Sequence, residues 1–369
     1  MHLSGRISRV ERVRIESGGN WDQLGRFLSA GRFLNGKVFI LTDQNTRKHC
    51  LPVLLSHLPV LGKAGILEIQ AGEENKTLKQ AESLWQQLFE GLADRKTLLI
   101  NLGGGVVTDL GGFVAAGFMR GIPYINLPAS LMGMADAAIG GKTAVNFQDF
   151  KNQIGFFYPP AAIFIFPDFL SSLPLEHLRS GFAEIFKTAL VGDPFMYRMI
   201  LKLSVQQWME IPAGDRRWTD LIQKTISLKN QVVRKDFLDK NQRKILNFGH
   251  SFGHAFETFS LQRHGTPVLH GEAVAKGMIC ESCLSFMKTG LPGSDLKIIV
   301  SWIREGFGQN DFQPEDFSKL LGYMQHDKKN EEGGIRFTLL EKPGKAKINV
   351  VCTRDEMLQA YHCYLNQEV

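Results

Sequence analysis

Two imidazoles four residues apart, His250 and His254, lie in the stretch NFGHSFGHAFETFSLQRHGTPVLHGE (247–272), and a third, His270, follows a Gly/Pro-containing insert. On a helix the first two share one face. Several neutral nitrogens converging with a carboxylate form the donor set that zinc takes. The plainer reading is a pair of histidines that cap a helix or pack in a core, and spacing alone does not separate the two. Context favours the metal. A glycine precedes each of His250 and His254, which permits close backbone approach, and His-Gly-Glu opens an apolar run with Glu272 near its positive end. The set lacks only an acid. In RSGFAEIFKTAL (179–190), Glu184 and Lys187 lie three apart on one helical face amid apolar residues, so both are expected to be partly buried.

A second group of residues suits phosphate. After TLLIN comes LGGGVVTDLGGF, where Gly103, Gly104 and Gly105 let backbone amides face a pyrophosphate ahead of a helix expected to start near Thr108 or Asp109. The run is not Gly-x-Gly-x-x-Gly, which disfavours an ordinary dehydrogenase. Asp43 is placed to accept from ribose hydroxyls, and AGEENKT (71–77) brings Glu73 and Lys76 to another strand end. The segment 120–160 is rich in small residues interrupted by Ser130, Asp136, Lys142, Asn146, Lys151 and Asn152, which suits the floor of a ligand site better than a buried connection.

The elements that must position these residues alternate in the first half. Apolar runs at 38–41, 65–69, 97–101, 124–127 and 162–166 read as strands, most followed by helical stretches, which predicts a parallel α/β sheet with ligands at its carboxyl edge. The second half reads as mainly helical, with a hairpin turning at Pro343 and Gly344. A chain of 369 residues exceeds one typical core, so two domains are expected, 1–167 and 168–369. No window approaches the ~20 apolar residues that span a bilayer, and MHLSGRISRVERVRIE has no signal-peptide core, which predicts a cytoplasmic protein with no membrane partner. Five cysteines, an odd number, argue against a disulfide framework, and Cys280 and Cys283 read as small buried helical residues. The net charge of +6 admits nucleic acid or a small anion, and with no arginine-rich tract the small anion is favoured.

The motifs GGGVVTD, FMRG, DAAIGGKTAVN, KNQIG, RSGFAEIFK, LNFGHSFGHAFE, LHGEAVA and HDKK together resemble the 3-dehydroquinate synthase family over nearly the whole chain. The resemblance implies a Rossmann-like parallel-sheet domain followed by a mainly α-helical metal-binding domain. It also implies one catalytic zinc (cobalt is the other divalent ion to consider), one tightly held NAD, a sugar phosphate substrate and a homodimer. Carried over by position, the zinc ligands are Glu184, His250 and His270. NAD contacts fall on Asp43, Glu73, Lys76, Gly104, Gly105, Val106, Val107, Thr108, Asp109, Ala129, Ser130, Lys142, Lys151, Phe169 and Ser172. Catalytic and substrate contacts fall on Asp136, Lys142, Asn152, Lys187, Lys229, Arg243, Asn247, His254 and Lys328 (of the pair with Lys329), and Arg120 resembles the arginine that reaches phosphate in the neighbouring subunit.

The sequence departs from the family in three places. Ala129 and Ser130 stand where paired threonines are usual, FQDF replaces His-Pro-Leu-Gly before Lys151, and DFLDKNQR replaces an acidic run before Arg243. The implied reaction turns 3-deoxy-D-arabino-heptulosonate 7-phosphate into 3-dehydroquinate by transient oxidation, phosphate elimination, re-reduction and aldol closure. Three rivals are a cyclase acting on sedoheptulose 7-phosphate, a glycerol-dehydrogenase-like enzyme, and a non-catalytic NAD-binding or regulatory module for which the full zinc and cation set would be unexplained. His254, Asn247, Gly141 and Lys142 are kept as in dehydroquinate synthases, and Lys229 and Arg243 are candidates to neutralise the extra carboxylate of the heptulosonate.

Overall fold

The apolar runs form strands because, covered on both faces, they lose water from every side chain, and a parallel sheet buried in this way needs no alternation. A computed structural model describes residues 13–29, 36–148, 150–262, 268–308, 312–327 and 334–366. The chain divides into two compact units, Met1–Pro174 with Pro212–Ile226, and Leu175–Ile211 with Ser227–Val369. The turn Pro167–Ser172 therefore stays with the first unit, beyond the boundary expected at 167.

The first unit holds a six-stranded sheet in the order β1-β8-β5-β4-β2-β3. Its strands are β1 (Arg14–Glu16), β2 (Val38–Asp43), β3 (Gly65–Ile69), β4 (Leu98–Gly103), β5 (Tyr124–Pro128) and β8 (Ala162–Phe164), and every neighbouring pair is parallel. β2 leads outward to β3 and then back past itself to β4. The winding direction thus reverses beside β2 and β4, which opens a crevice at their carboxyl ends. In the core beneath, Leu41, Leu67 and Leu99 share one buried cluster with Leu84 and Leu88 of the helix Leu78–Glu90 and Leu110 and Val114 of the helix Gly105–Gly117.

Two local features differ from expectation. The helix after β4 starts at Gly105, not at Thr108 or Asp109. Thr108 lies inside its first turn and donates its hydroxyl to the Gly105 carbonyl at 3.1 Å. The small-residue segment after β5, where no strands were expected, forms an antiparallel hairpin, β6 (Lys142–Phe147) with β7 (Phe150–Phe157).

The second unit is mainly helical, with the hairpin β9 (Ile335–Lys342) and β10 (Lys345–Cys352) as expected. Its principal helices are Leu175–Gly192, His250–Gln262, His270–Thr289, Gly293–Phe307 and Arg354–Leu365. The odd cysteine count misleads in one respect: Cys283 and Cys363 are joined in a disulfide, while Cys50, Cys280 and Cys352 remain buried thiols. The pair lies 80 residues apart in sequence, so only the packing of the His270–Thr289 helix on the Arg354–Leu365 helix brings it together. Among the described residues, no helix is long and apolar enough to cross a membrane.

Candidate active site

Glu184 and Lys187 sit on the buried face of the Leu175–Gly192 helix, 0% and 1% exposed, with Lys187 Nζ 2.6 Å from Glu184 Oε2. Both carboxylate oxygens are buried and neither makes a hydrogen bond of good geometry; Oε1 is the one turned to the imidazoles. It lies 3.6 Å from His250 Nε2 and 3.5 Å from His270 Nε2. Each of Glu184, His250 and His270 offers one ligand atom, and these atoms lie within 4.8 Å of one another. An unsatisfied buried oxygen costs about 1–3 kcal/mol, and a divalent cation among one oxygen and two nitrogens would satisfy it, so the donor set fits zinc with a coordination position to spare.

Neighbouring elements hold this geometry. Ser180 Oγ accepts the Gly271 N–H at 3.0 Å, and a Cβ on Gly271 would stand 1.8 Å from the Ser180 carbonyl oxygen, so the helices carrying Glu184 and His270 meet backbone to backbone. Arg179 pairs with Glu272 across the same contact. His250 Nδ1 lies 3.1 Å from the Phe248 carbonyl, and His270 Nδ1 lies 3.1 Å from Glu257 Oε2, which leaves both Nε2 atoms toward Glu184. His254 lies one turn beyond His250, its ring 5.3 Å from that of His250 and 5.9 Å from that of His270. It stands beside the converging set.

The charges are tuned in opposite directions. Burial works to raise the Glu184 carboxyl, but Lys187 and the two imidazoles hold it well below the usual range. Burial pushes His250 down to about 3, so its imidazole is neutral at neutral pH. Burial would lower His270 as well, yet the carboxylates of Glu257 and Glu184 carry it up to about 10.

In the first unit the expected dinucleotide residues gather at the carboxyl edge of the sheet. Gly104 caps the helix Gly105–Gly117 without any side chain, leaving its first amides with no side-chain cap, and a Cβ there would stand 3.3 Å from Ser130 Oγ. Val107 is buried beneath Gly103, Val106 is partly buried against the same core, and Ala129 is buried with its N–H on the Gly103 carbonyl at 2.9 Å. Lys76, 3% exposed, pairs with Glu73 at 2.9 Å and Asp109 at 3.3 Å. Burial opposes its charge, but Asp109 and Glu73 raise it. Asp43 spends one oxygen on capping its own helix, accepting from the Thr46 N–H at 2.8 Å. The Phe169 ring is buried edge-on against Trp21, whereas Ser172, at the end of the turn Pro167–Ser172, is exposed.

The expected substrate residues divide between the units. In the first, Asp136 lies in a π-helical turn, Gly133–Ala137, a form frequent at functional sites. Lys142 is exposed at the head of β6, Lys151 is partly buried on β7, and Asn152 adopts φ +57° with its N–H on Asn146 Oδ1 at 3.0 Å. Arg120 is exposed at φ +67°, after Met119 at φ +49°; such backbone in non-glycine residues is costly and clusters at functional sites. In the second, Lys229 and Arg243 are 6% and 4% exposed, and Asn247 is exposed. Lys328 lies outside the described residues.

Sequence reasoning missed four supporting residues. Glu257 follows His250 and His254 at helical spacing and was legible as part of their face. Asn101 and Asn126, paired at 2.9 Å in the middle of the sheet, tie the π-turn through the Ala138 carbonyl at 3.2 Å, and their location in apolar strands was the available signal. Asp236 accepts the N–H groups of Lys240, Asn241 and Arg243 at 3.0, 2.6 and 3.0 Å and so shapes the loop presenting Arg243.

A parallel-sheet unit joined in sequence to a helical unit is a fold shared by solved cyclases and dehydrogenases. One solved example is ValA, a 2-epi-5-epi-valiolone synthase from Streptomyces hygroscopicus with NAD+ and Zn2+ bound; it is 25% identical, with a TM-score of 0.79 over 90% of this chain and 91% of that one. Family models described as 3-dehydroquinate synthase N-terminal and C-terminal match residues 66–180 and 181–330. The 3-dehydroquinate synthase of Parabacteroides distasonis is 39% identical over 93% of this chain and 94% of its own length, and that of Listeria monocytogenes serotype 4a is 38% identical over 84% and 83%. The chain belongs to the 3-dehydroquinate synthase family.

Proposed function

We propose that this chain is an NAD- and zinc-dependent homodimeric lyase that converts 3-deoxy-D-arabino-heptulosonate 7-phosphate to 3-dehydroquinate and phosphate. The observation that carries the reading is the convergence of one buried carboxylate oxygen, Glu184 Oε1, and two imidazole Nε2 atoms 3.6 and 3.5 Å from it. NAD, when bound, supplies a hydride acceptor that returns what it takes, and the divalent metal supplies a Lewis acid.

The chain's own residues do the rest. Glu184, His250 and His270 are the metal ligands, and Lys187 keeps Glu184 ionised for that task. The segment Gly104 to Asp109 takes the pyrophosphate through its leading amides, Gly104 to Val107, with Glu73, Lys76, Asp43, Ala129, Ser130 and Lys151 around the dinucleotide. Lys142 stabilises negative charge on the reacting oxygen, where a fixed cation is worth most. Lys229 and Arg243 hold the substrate's anionic groups, and their near-complete burial makes charge-assisted bonds to an anion strong. His254 and Asn247 orient hydroxyls and move protons, with Asp136 and Asn152 completing the contacts and one lysine at 328 or 329 assisting. Arg120, exposed on its left-handed turn, serves the phosphate bound by the neighbouring protomer.

The test is to offer the purified protein 3-deoxy-D-arabino-heptulosonate 7-phosphate and sedoheptulose 7-phosphate separately, following phosphate release and NADH absorbance. Phosphate release from the heptulosonate, dependent on NAD and without net NADH, is the expected result. Preference for sedoheptulose 7-phosphate, or stoichiometric NADH, would overturn it.

A further inference from the structure

The first turn of an α-helix leaves four N–H groups without intrahelical partners. At the start of the His250–Gln262 helix, partners come from the next helix: Glu281 Oε2 accepts the Gly249 N–H at 2.7 Å, and Oε1 accepts those of Ser251 at 2.9 Å and Phe252 at 3.3 Å. The Gly253 N–H then closes the first backbone bond, to the Gly249 carbonyl at 3.0 Å. Glu281 is 0% exposed. Its carboxylate lies at the positive end of the helix, where an anion accepting backbone N–H groups forms short, strong bonds.

Glu281 reaches this position because the two helices touch through their backbones. A Cβ on Gly277 would stand 2.0 Å from the Gly249 carbonyl oxygen, and one on Gly253 would stand 3.0 Å from Val274 Cα. Nothing larger than glycine fits at this crossing, and one turn beyond Gly277 the carboxylate of Glu281 comes level with the helix start. The three N–H groups it grips flank His250 on both sides. The imidazole points away from Glu281, with Nδ1 on the Phe248 carbonyl at 3.1 Å and Nε2 3.6 Å from Glu184 Oε1.

We propose that Glu281 is a positioning residue for the metal site, fixing His250 through the backbone on either side of it so that its Nε2 faces Glu184. The inference rests on the metal reading of Glu184, His250 and His270. An ordinary buried cap would contribute only to helix stability; a positioning residue also sets how tightly and in what geometry the metal is held.

The experiment compares wild type, Glu281→Ala, Glu281→Gln and Ile279→Ala, the last a buried residue of the same helix. Zinc affinity is read by competition with a chelator, ligand geometry by the visible spectrum of the cobalt-loaded protein, and stability by thermal unfolding. Glu281→Ala is expected to bind zinc about 10- to 100-fold more weakly, the range for residues that orient metal ligands, and to shift the cobalt bands. Glu281→Gln keeps one acceptor oxygen and is expected to fall between; it carries the test if the alanine variant does not fold. Ile279→Ala loses stability but not zinc affinity. The proposal is overturned if the folded Glu281 variant binds zinc within about twofold of wild type with unchanged cobalt bands, or if Ile279→Ala loses as much affinity. Failure of the underlying reading looks different: wild type would bind no zinc, or Glu184→Ala would bind it equally well.

Discussion

Replacing Lys187 by methionine removes one half of a fully buried ion pair while keeping an unbranched side chain in its place. Lys187 and Glu184 are 1% and 0% exposed and meet at 2.6 Å. Without the ammonium, the carboxylate keeps only two imidazoles as company, one of them neutral because burial holds His250 down to about 3. Removing one partner of a buried pair typically costs about 3–5 kcal/mol, and here the carboxylate is left with only the His270 cation, already shared with Glu257, to balance it. For a unit of this size that is roughly 10 °C in Tm. A bound divalent cation would compensate the same carboxylate. The loss should therefore be large in chelator-treated protein and small in zinc-loaded protein, and scanning calorimetry of both variants with EDTA and with zinc measures the difference. Adding Glu184→Gln to Lys187→Met should recover much of the metal-free stability, because the pair's charge is then gone altogether. Equal losses with and without zinc, or a metal-free Lys187→Met melting within about 2 °C of wild type, would refute the reasoning.

Two further outcomes follow from the geometry. In metal-free protein His270 is held up to about 10, mainly by Glu257 and Glu184 against the effect of burial, so at neutral pH it carries a proton that a metal must displace. The raised value sets the sign: affinity for zinc should climb about tenfold per pH unit from 7 to 9, with one proton released per metal, and Glu257→Ala should release less at pH 8 because His270 then titrates lower; calorimetry in buffers of different ionisation enthalpy counts the protons, and no release would contradict the assignment. Gly277→Ala places a methyl 2.0 Å from the Gly249 carbonyl oxygen, so the helices must part. A loss of about 1–3 kcal/mol or more is expected in denaturant unfolding, with weaker zinc binding, and a variant as stable as wild type would show that the backbone contact yields freely.

The donor types and their spacing are sequence properties. His250 and His254 four apart, Glu184 three before Lys187, and glycines after an apolar strand each report a local periodicity, and local periodicity is what the chain alone encodes. The parallel sheet was legible for the same reason, because strands buried on both faces read as unbroken apolar runs. Beyond Glu184, which the family resemblance assigned to the histidine set, the sequence could not say which carboxylate meets which nitrogen. Glu257 on His270, Glu281 at the start of the His250–Gln262 helix and Asp236 under Arg243 are ordinary acids in the one-dimensional record, and only packing makes them partners. The start of the helix at Gly105 and the Cys283–Cys363 disulfide escaped for a related reason: glycine carries no side-chain signal for a cap, and the two cysteines are neighbours only through helix packing. Residue type and spacing thus determined what chemistry was on offer. Tertiary structure decided which polar groups were buried together, and burial is what makes a charge or an unpaired oxygen matter.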